Sequence, residues 1–167
     1  MRPRVLVYGY GNPGRLDDGL GPALVGALSA AALGDEVTVE TGYQLQVEDA
    51  ALVADHAVVV FADADAACAE PFELRRLEPR RALAFSTHSV APEALLALAR
   101  EHFDAKTVGF VLGIRGYEFD EFGEELSPGA RRNLAAAADY VARLLQDGSL
   151  ARRAVCAEPG GDGHVRG

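Results

Sequence analysis

The residue types best able to do chemistry in this chain are the adjacent carboxylates Asp17 and Asp18, the carboxylate Asp63 and the imidazole of His88. Asp17 and Asp18 sit in a glycine-rich turn directly after the apolar run Val5, Leu6, Val7. Asp63 ends the run Ala57 to Ala62, and His88 lies in the segment before a leucine-rich helix. In a parallel α/β sheet the strand ends share one rim, where such proteins hold ligands. Asp18, Asp63 and His88 would then offer two carboxylate oxygens and one imidazole nitrogen. That donor set suits a borderline divalent ion and leaves positions open for water or substrate. Each residue also has a purely structural reading. Either aspartate of the pair could cap a helix, Asp63 could bond turn amides, and His88 could serve as a hydrogen-bonding residue.

Other chemistries find less support. Gly9, Gly11 and Gly14 spell G-x-G-x-x-G after a strand, and Glu40 ends the next strand-like run. This is the outline of a dinucleotide fingerprint. In that site the helix begins at the third glycine so that its N-terminal amides hold a pyrophosphate. Here six residues, Arg15 through Leu20, precede the Gly21-Pro22 start, and two carboxylates would repel a phosphate. Ser86 and Ser89 flank His88 outside any G-x-S-x-G elbow. Cys68 stands among alanines that supply no activating cation, so packing is its expected role. H-E-x-x-H is absent. The acidic run from Glu118 to Glu125 reads as a solvated loop or as a docking surface for a basic partner.

Alternating elements must position these groups. The pattern predicts a strand at Val5 to Val7, a helix from about Pro22 to Leu33 closed by Gly34, and a strand at Val37 to Glu40. A short helix near Val47 to Val53 leads to the strand Ala57 to Ala62. Phe72 to Leu77 alternates like a weaker, half-exposed strand, and Phe85 to Ser89 precedes a helix from Pro92 to His102. Thr107 to Ile114 reads as a buried strand. Ser127-Pro128 then caps a last helix running to about Leu145. This succession predicts an α/β class with helices on both faces of the sheet. Residues 1–147 are expected to form one domain, and 148–167, poor in large apolar groups, a flexible C-terminal tail.

The 167 residues suffice for a single core. A net charge of -9 opposes nucleic acid and anionic membrane surfaces and favours a protein or a cation as partner. The two cysteines lie far apart and no charged leader followed by an apolar segment opens the chain, which fits a reducing cytoplasm; a monomer is expected.

Four segments taken in order, G-Y-G-N-P-G-R-L-D-D-G-L-G (9–21), V-V-F-A-D-A (59–64), F-S-T-H-S-V-A-P-E-A-L-L (85–96) and G-E-E-L-S-P (123–128), resemble the hydrogenase maturation endopeptidases. The resemblance spans residues 4–147. It implies a three-layer α/β/α sandwich with a five-stranded, mostly parallel sheet. It also implies removal of a C-terminal peptide from the large-subunit precursor of a nickel-iron hydrogenase. The nickel would arrive in the precursor as a recognition mark, and the family's metal-contacting residues fall on Asp18, Asp63 and His88, which the resemblance also makes the catalytic set. Two departures stand out. Many relatives carry Asp-Gly-Gly-Thr after the second strand, where this chain has Glu40-Thr41-Gly42-Tyr43, and many have glutamate at the place of Asp18. Gln44-Leu45 is similar to the branch that serves soluble, cofactor-linked hydrogenases. The alternatives are a metal-dependent maturation chaperone that inspects the precursor without cutting it, and a small-molecule α/β binding protein.

Overall fold

The computed structural model describes residues 2–81, 89–156 and 165–166. In chain order these form β1 (Val5–Tyr10), a single 3-10 turn (Leu16–Gly19), α1 (Leu20–Ser29), β2 (Val37–Gly42), α2 (Asp49–Ala54), β3 (Val58–Asp65) and β4 (Phe72–Arg76). They are followed by α3 (Pro92–Phe103), β5 (Val108–Arg115), α4 (Pro128–Gln146), α5 (Ser149–Cys156) and the two-residue β6 (Val165–Arg166). The sheet runs β2-β1-β3-β5-β4-β6. β2, β1, β3 and β5 are mutually parallel. β4 runs antiparallel to β5, and β6 adds a short antiparallel edge to β4. The five-stranded, mostly parallel sheet that the resemblance implies is therefore present, extended by β6. β4 is antiparallel because the six residues after Asp65 are too few for a crossover, which takes a dozen or more.

The central strands are apolar on both sides, and alternate residues feed two separate cores. Val5, Val7, Val58, Val60 and Leu112 face α1 and α4, where Leu20, Leu24, Ala137 and Val141 meet them. Leu6, Tyr8, Val59 and Phe61 face α2 and α3, packing with Val53, Leu95 and Leu96. α4 buries Ala130, Asn133, Ala137, Val141, Leu144 and Leu145, a helical stripe of three- and four-residue steps. Its first turn is capped as the sequence predicts, with the Ser127 hydroxyl accepting from the Ala130 amide.

Helix α1 starts at Leu20, two residues before Pro22, because the 3-10 turn runs straight into it. The stretch after Gly148, read from composition as a tail, opens with α5, whose Leu150 is only 2% exposed. The Asp147 carboxylate accepts from the Ser149 amide at 2.7 Å and helps α5 begin. Of the run Phe85 to Ser89, only Ser89 belongs to the described residues.

The glycines of the first turn bring backbone against backbone. A Cβ on Gly21 would lie 2.3 Å from the Tyr10 carbonyl oxygen and 2.6 Å from that of Ala62. Gly11 adopts φ +141° under the Asp18 carbonyl. Close seating of α1 on β1 thus accounts for the motif that resembled a phosphate cradle. Gly21→Ala is expected to force α1 off the sheet and cost about 1–3 kcal/mol. Gly26→Ala in the same helix, where a Cβ meets nothing within 4 Å, should instead stabilise by up to about 1 kcal/mol. Urea midpoints compared at constant slope check both.

Candidate active site at the carboxyl edge of the sheet

β1, β3 and β5 end on the same rim. Gly9 pairs with Ala62, and Asp63 pairs with Gly113, so Tyr10 and Asp63 leave the sheet side by side on its α2/α3 face. From Tyr10 the chain turns through Gly11 to Arg15 into the 3-10 turn that carries both aspartates. Leu16 enters that turn at φ +51°, a left-handed conformation unfavourable for leucine. Its amide is held by the Gly123 carbonyl at 2.8 Å.

The two adjacent carboxylates have separate environments. Asp17 is fully buried. It accepts from the amides of Tyr117 (2.8 Å), Glu118 (3.0 Å) and Ser127 (2.7 Å) and from the Ser127 hydroxyl (2.7 Å). Burial alone would push its carboxyl up. The hydrogen bonds from Ser127, Tyr117 and Glu118 outweigh that and hold it below the usual carboxylate range. Asp17 is thus the knot that ties the 116–127 loop and the start of α4 to the first turn.

Asp18 is half-buried, and its Oδ2 accepts from the Asn12 amide at 3.0 Å. Asp63, also half-buried, accepts from its neighbour's amide, that of Ala64, at 2.8 Å, and the Tyr10 phenol stands beside it. Burial, together with the facing charge of Asp18, pushes its carboxyl up to about 6. Two carboxylates are therefore brought together at the rim, one of them poised to exchange a proton near neutral pH. His88, the third residue singled out in the sequence, lies outside the described residues. The described chain leaves off at Arg81 and resumes at Ser89. Beside that segment the Arg80 amide bonds the Glu93 carbonyl and the Val90 amide bonds the Leu45 carbonyl. Among the described residues, no group of three or more His, Cys, Asp and Glu side chains could hold a metal ion.

Of the rival chemistries, Cys68 is buried and its thiol meets the Gly113 carbonyl at 3.5 Å. Burial, followed by the charges of Asp65 and Glu73, pushes it up to about 11, the opposite of an activated nucleophile. Glu40 is exposed on β2, and Tyr43 beyond it is 71% exposed. The acidic loop lies against the turn that bears Asp18. Gly123 bonds Gly14 through backbone, and the Arg15 guanidinium stands 5.8 Å from the ring of Phe122. Sequence reasoning passed over two contributors to the site. Tyr10 occupies the variable place of the first G-x-G, and its only signal is that it shares the two-residue period of Leu6 and Tyr8. Asn12 supplies the amide that holds Asp18, and its side chain closes the turn by accepting from Gly14 at 2.8 Å.

No protein-family model matches the chain, and no curated protein matches it in sequence. Solved structures do. The [NiFe] hydrogenase maturation protease HycI from Thermococcus kodakarensis KOD1 is 21% identical, with a TM-score of 0.68 over 86% of this chain and 93% of that one. A hydrogenase 2 maturation peptidase from Thaumarchaeota archaeon SCGC_AB-539-E09 is 26% identical, with a TM-score of 0.62 over 85% and 97%. The hydrogenase maturating endopeptidase HybD from E. coli is 23% identical, with a TM-score of 0.63 over 87% and 94%. The chain has the fold of the hydrogenase maturation proteases, the family that its motifs resemble.

Proposed function

We propose that this protein is an endopeptidase that removes the C-terminal peptide from the nickel-loaded precursor of a nickel-iron hydrogenase large subunit. The reading rests above all on the convergence of Asp18 and Asp63 at the carboxyl edge, in a chain with this fold. Nickel belongs to the substrate. Asp18, Asp63 and His88 complete its coordination, so that only a loaded precursor is held with its scissile bond at the rim. The bound ion would supply Lewis-acid help at the scissile carbonyl, and a carboxylate of the rim would accept a proton from the attacking water. No described helix is long and apolar enough to cross a membrane, and we place the reaction in the cytoplasm, with the protein acting as a monomer.

The test is to incubate the purified protein with nickel-loaded precursor and weigh the large subunit by mass spectrometry. Asp18→Asn and Asp63→Asn should each slow cleavage by about 10²-fold or more. Neither should lower thermal stability, and Asp63→Asn should raise it slightly, because it removes one of two facing charges. Capture of the precursor without loss of mass would make the protein a non-cutting maturation chaperone instead.

A further inference from the structure

Phe122 is the most exposed large apolar side chain among the described residues, at 87%. A lone apolar side chain on a surface is ordinary. Here, however, the backbone that carries the ring is braced against the turn of the candidate site. The Gly123 amide donates to the Gly14 carbonyl at 2.9 Å, and the Gly123 carbonyl accepts from the Leu16 amide at 2.8 Å. The residue after Phe122 thus pairs on both sides of Arg15, whose guanidinium stands 5.8 Å from the centre of the ring. Both feet of the loop are tied down as well, because Asp17 accepts from the amides of Tyr117, Glu118 and Ser127. A ring on ordered backbone loses less freedom when it is bound, and aromatic and arginine side chains are those enriched at protein interfaces.

The surroundings of the ring specify the charge of its partner. Glu118, Asp120, Glu121, Glu124 and Glu125 are exposed on the same loop. Arg15 beside the ring and Arg131, which pairs with Glu125 at 3.8 Å, offset only part of that charge. An apolar ring within a field of carboxylates complements a segment that carries an apolar side chain next to lysine or arginine. We infer that Phe122 is a specificity-determining contact for the precursor: its ring seats an apolar side chain of a basic segment of the large subunit and holds that segment beside the turn that bears Asp18. The inference rests on the proposed function, which supplies the precursor as partner. The fold contains a matched control in Phe103, 52% exposed at the end of α3. It lies on the approach to Val108, where β5 begins, at the opposite edge of the sheet.

Nickel-loaded precursor is immobilised, and its Kd for the unaltered protein and for each variant is measured by interferometry, with the mass of the large subunit followed in parallel. Phe122→Ala is expected to raise Kd about tenfold, the loss that follows truncation of an aromatic anchor. Its melting temperature should not change, because the ring buries little. Phe122→Tyr should restore binding, Phe103→Ala should bind as the unaltered protein does, and Glu121→Gln with Glu124→Gln should weaken binding and flatten its dependence on salt. Equal Kd for Phe122→Ala and the unaltered protein would overturn the inference, as would equal losses in Phe122→Ala and Phe103→Ala. If the unaltered protein binds the loaded precursor but leaves it at full mass, the processing activity fails while the Phe122 contact stands. Absence of any binding would overturn both.

Discussion

Asp17→Ala is expected to lower the unfolding free energy by about 3–5 kcal/mol, whereas Asp18→Ala, one residue on, should cost less than about 1 kcal/mol. The difference comes from what each carboxylate leaves behind. Removing Asp17 strands the buried Ser127 amide, the buried Ser127 hydroxyl that caps α4, and the part-buried amides of Tyr117 and Glu118. A buried donor without a partner costs about 1–3 kcal/mol, and water can reach only some of these. Removing Asp18 frees one amide at a half-exposed turn. The effect has a defined pH dependence. Because the folded state holds the Asp17 carboxyl below its ordinary value, the group favours the native protein at pH above about 4. That contribution is lost as pH falls through the lower, folded value. Urea unfolding at pH 7 and pH 3 should therefore show the gap between the unaltered protein and Asp17→Asn shrinking with acid. A gap that is constant with pH would mean that the charge of Asp17 contributes nothing.

The contrast between these neighbours also marks how far the sequence could be read. That carboxylates following β1 and β3 lie toward one rim follows from the rule that parallel strands end on the same edge, and this rule is what points to Asp18 and Asp63 in the sequence. Which member of the Asp17-Asp18 pair turns inward was not legible. The partners of Asp17 lie 100 to 110 residues away, and local spacing carries no information about them. The same holds for Tyr10, whose phenol stands beside Asp63 only once β1 and β3 are in register. α5 was missed for a different reason. Its single buried leucine is too little apolar signal in an Ala- and Arg-rich stretch, and tertiary contact with α4 and β3 decides its state. The last helix and its cap were legible because Ser127-Pro128 and the three- and four-residue steps of apolar side chains are local properties.

Cleavage should depend on nickel in the precursor rather than on nickel in solution. The rim offers the two carboxylates Asp18 and Asp63, and in the proposed function His88 adds an imidazole nitrogen to make a donor set of O, O and N. The thiol of Cys68 is buried and engaged with Gly113, so no sulfur joins the set from that side. Three hard or borderline donors with open positions should bind a free ion weakly, and an ion already held by the precursor would bridge the two proteins there. Such bridging fixes the scissile bond against Asp63, and orientation of this kind can supply ~7–11 kcal/mol of a barrier. Nickel-free precursor should therefore stay uncut even when nickel salt is added to the protease. Precursor that is already loaded should be cut by protease stripped of metal with a chelator and desalted. Both results are read as the mass of the large subunit over time. Efficient cleavage of nickel-free precursor would remove the ion from the recognition step, and Asp18 and Asp63 would then have to act on the peptide directly, as the acid and base of a metal-independent hydrolysis.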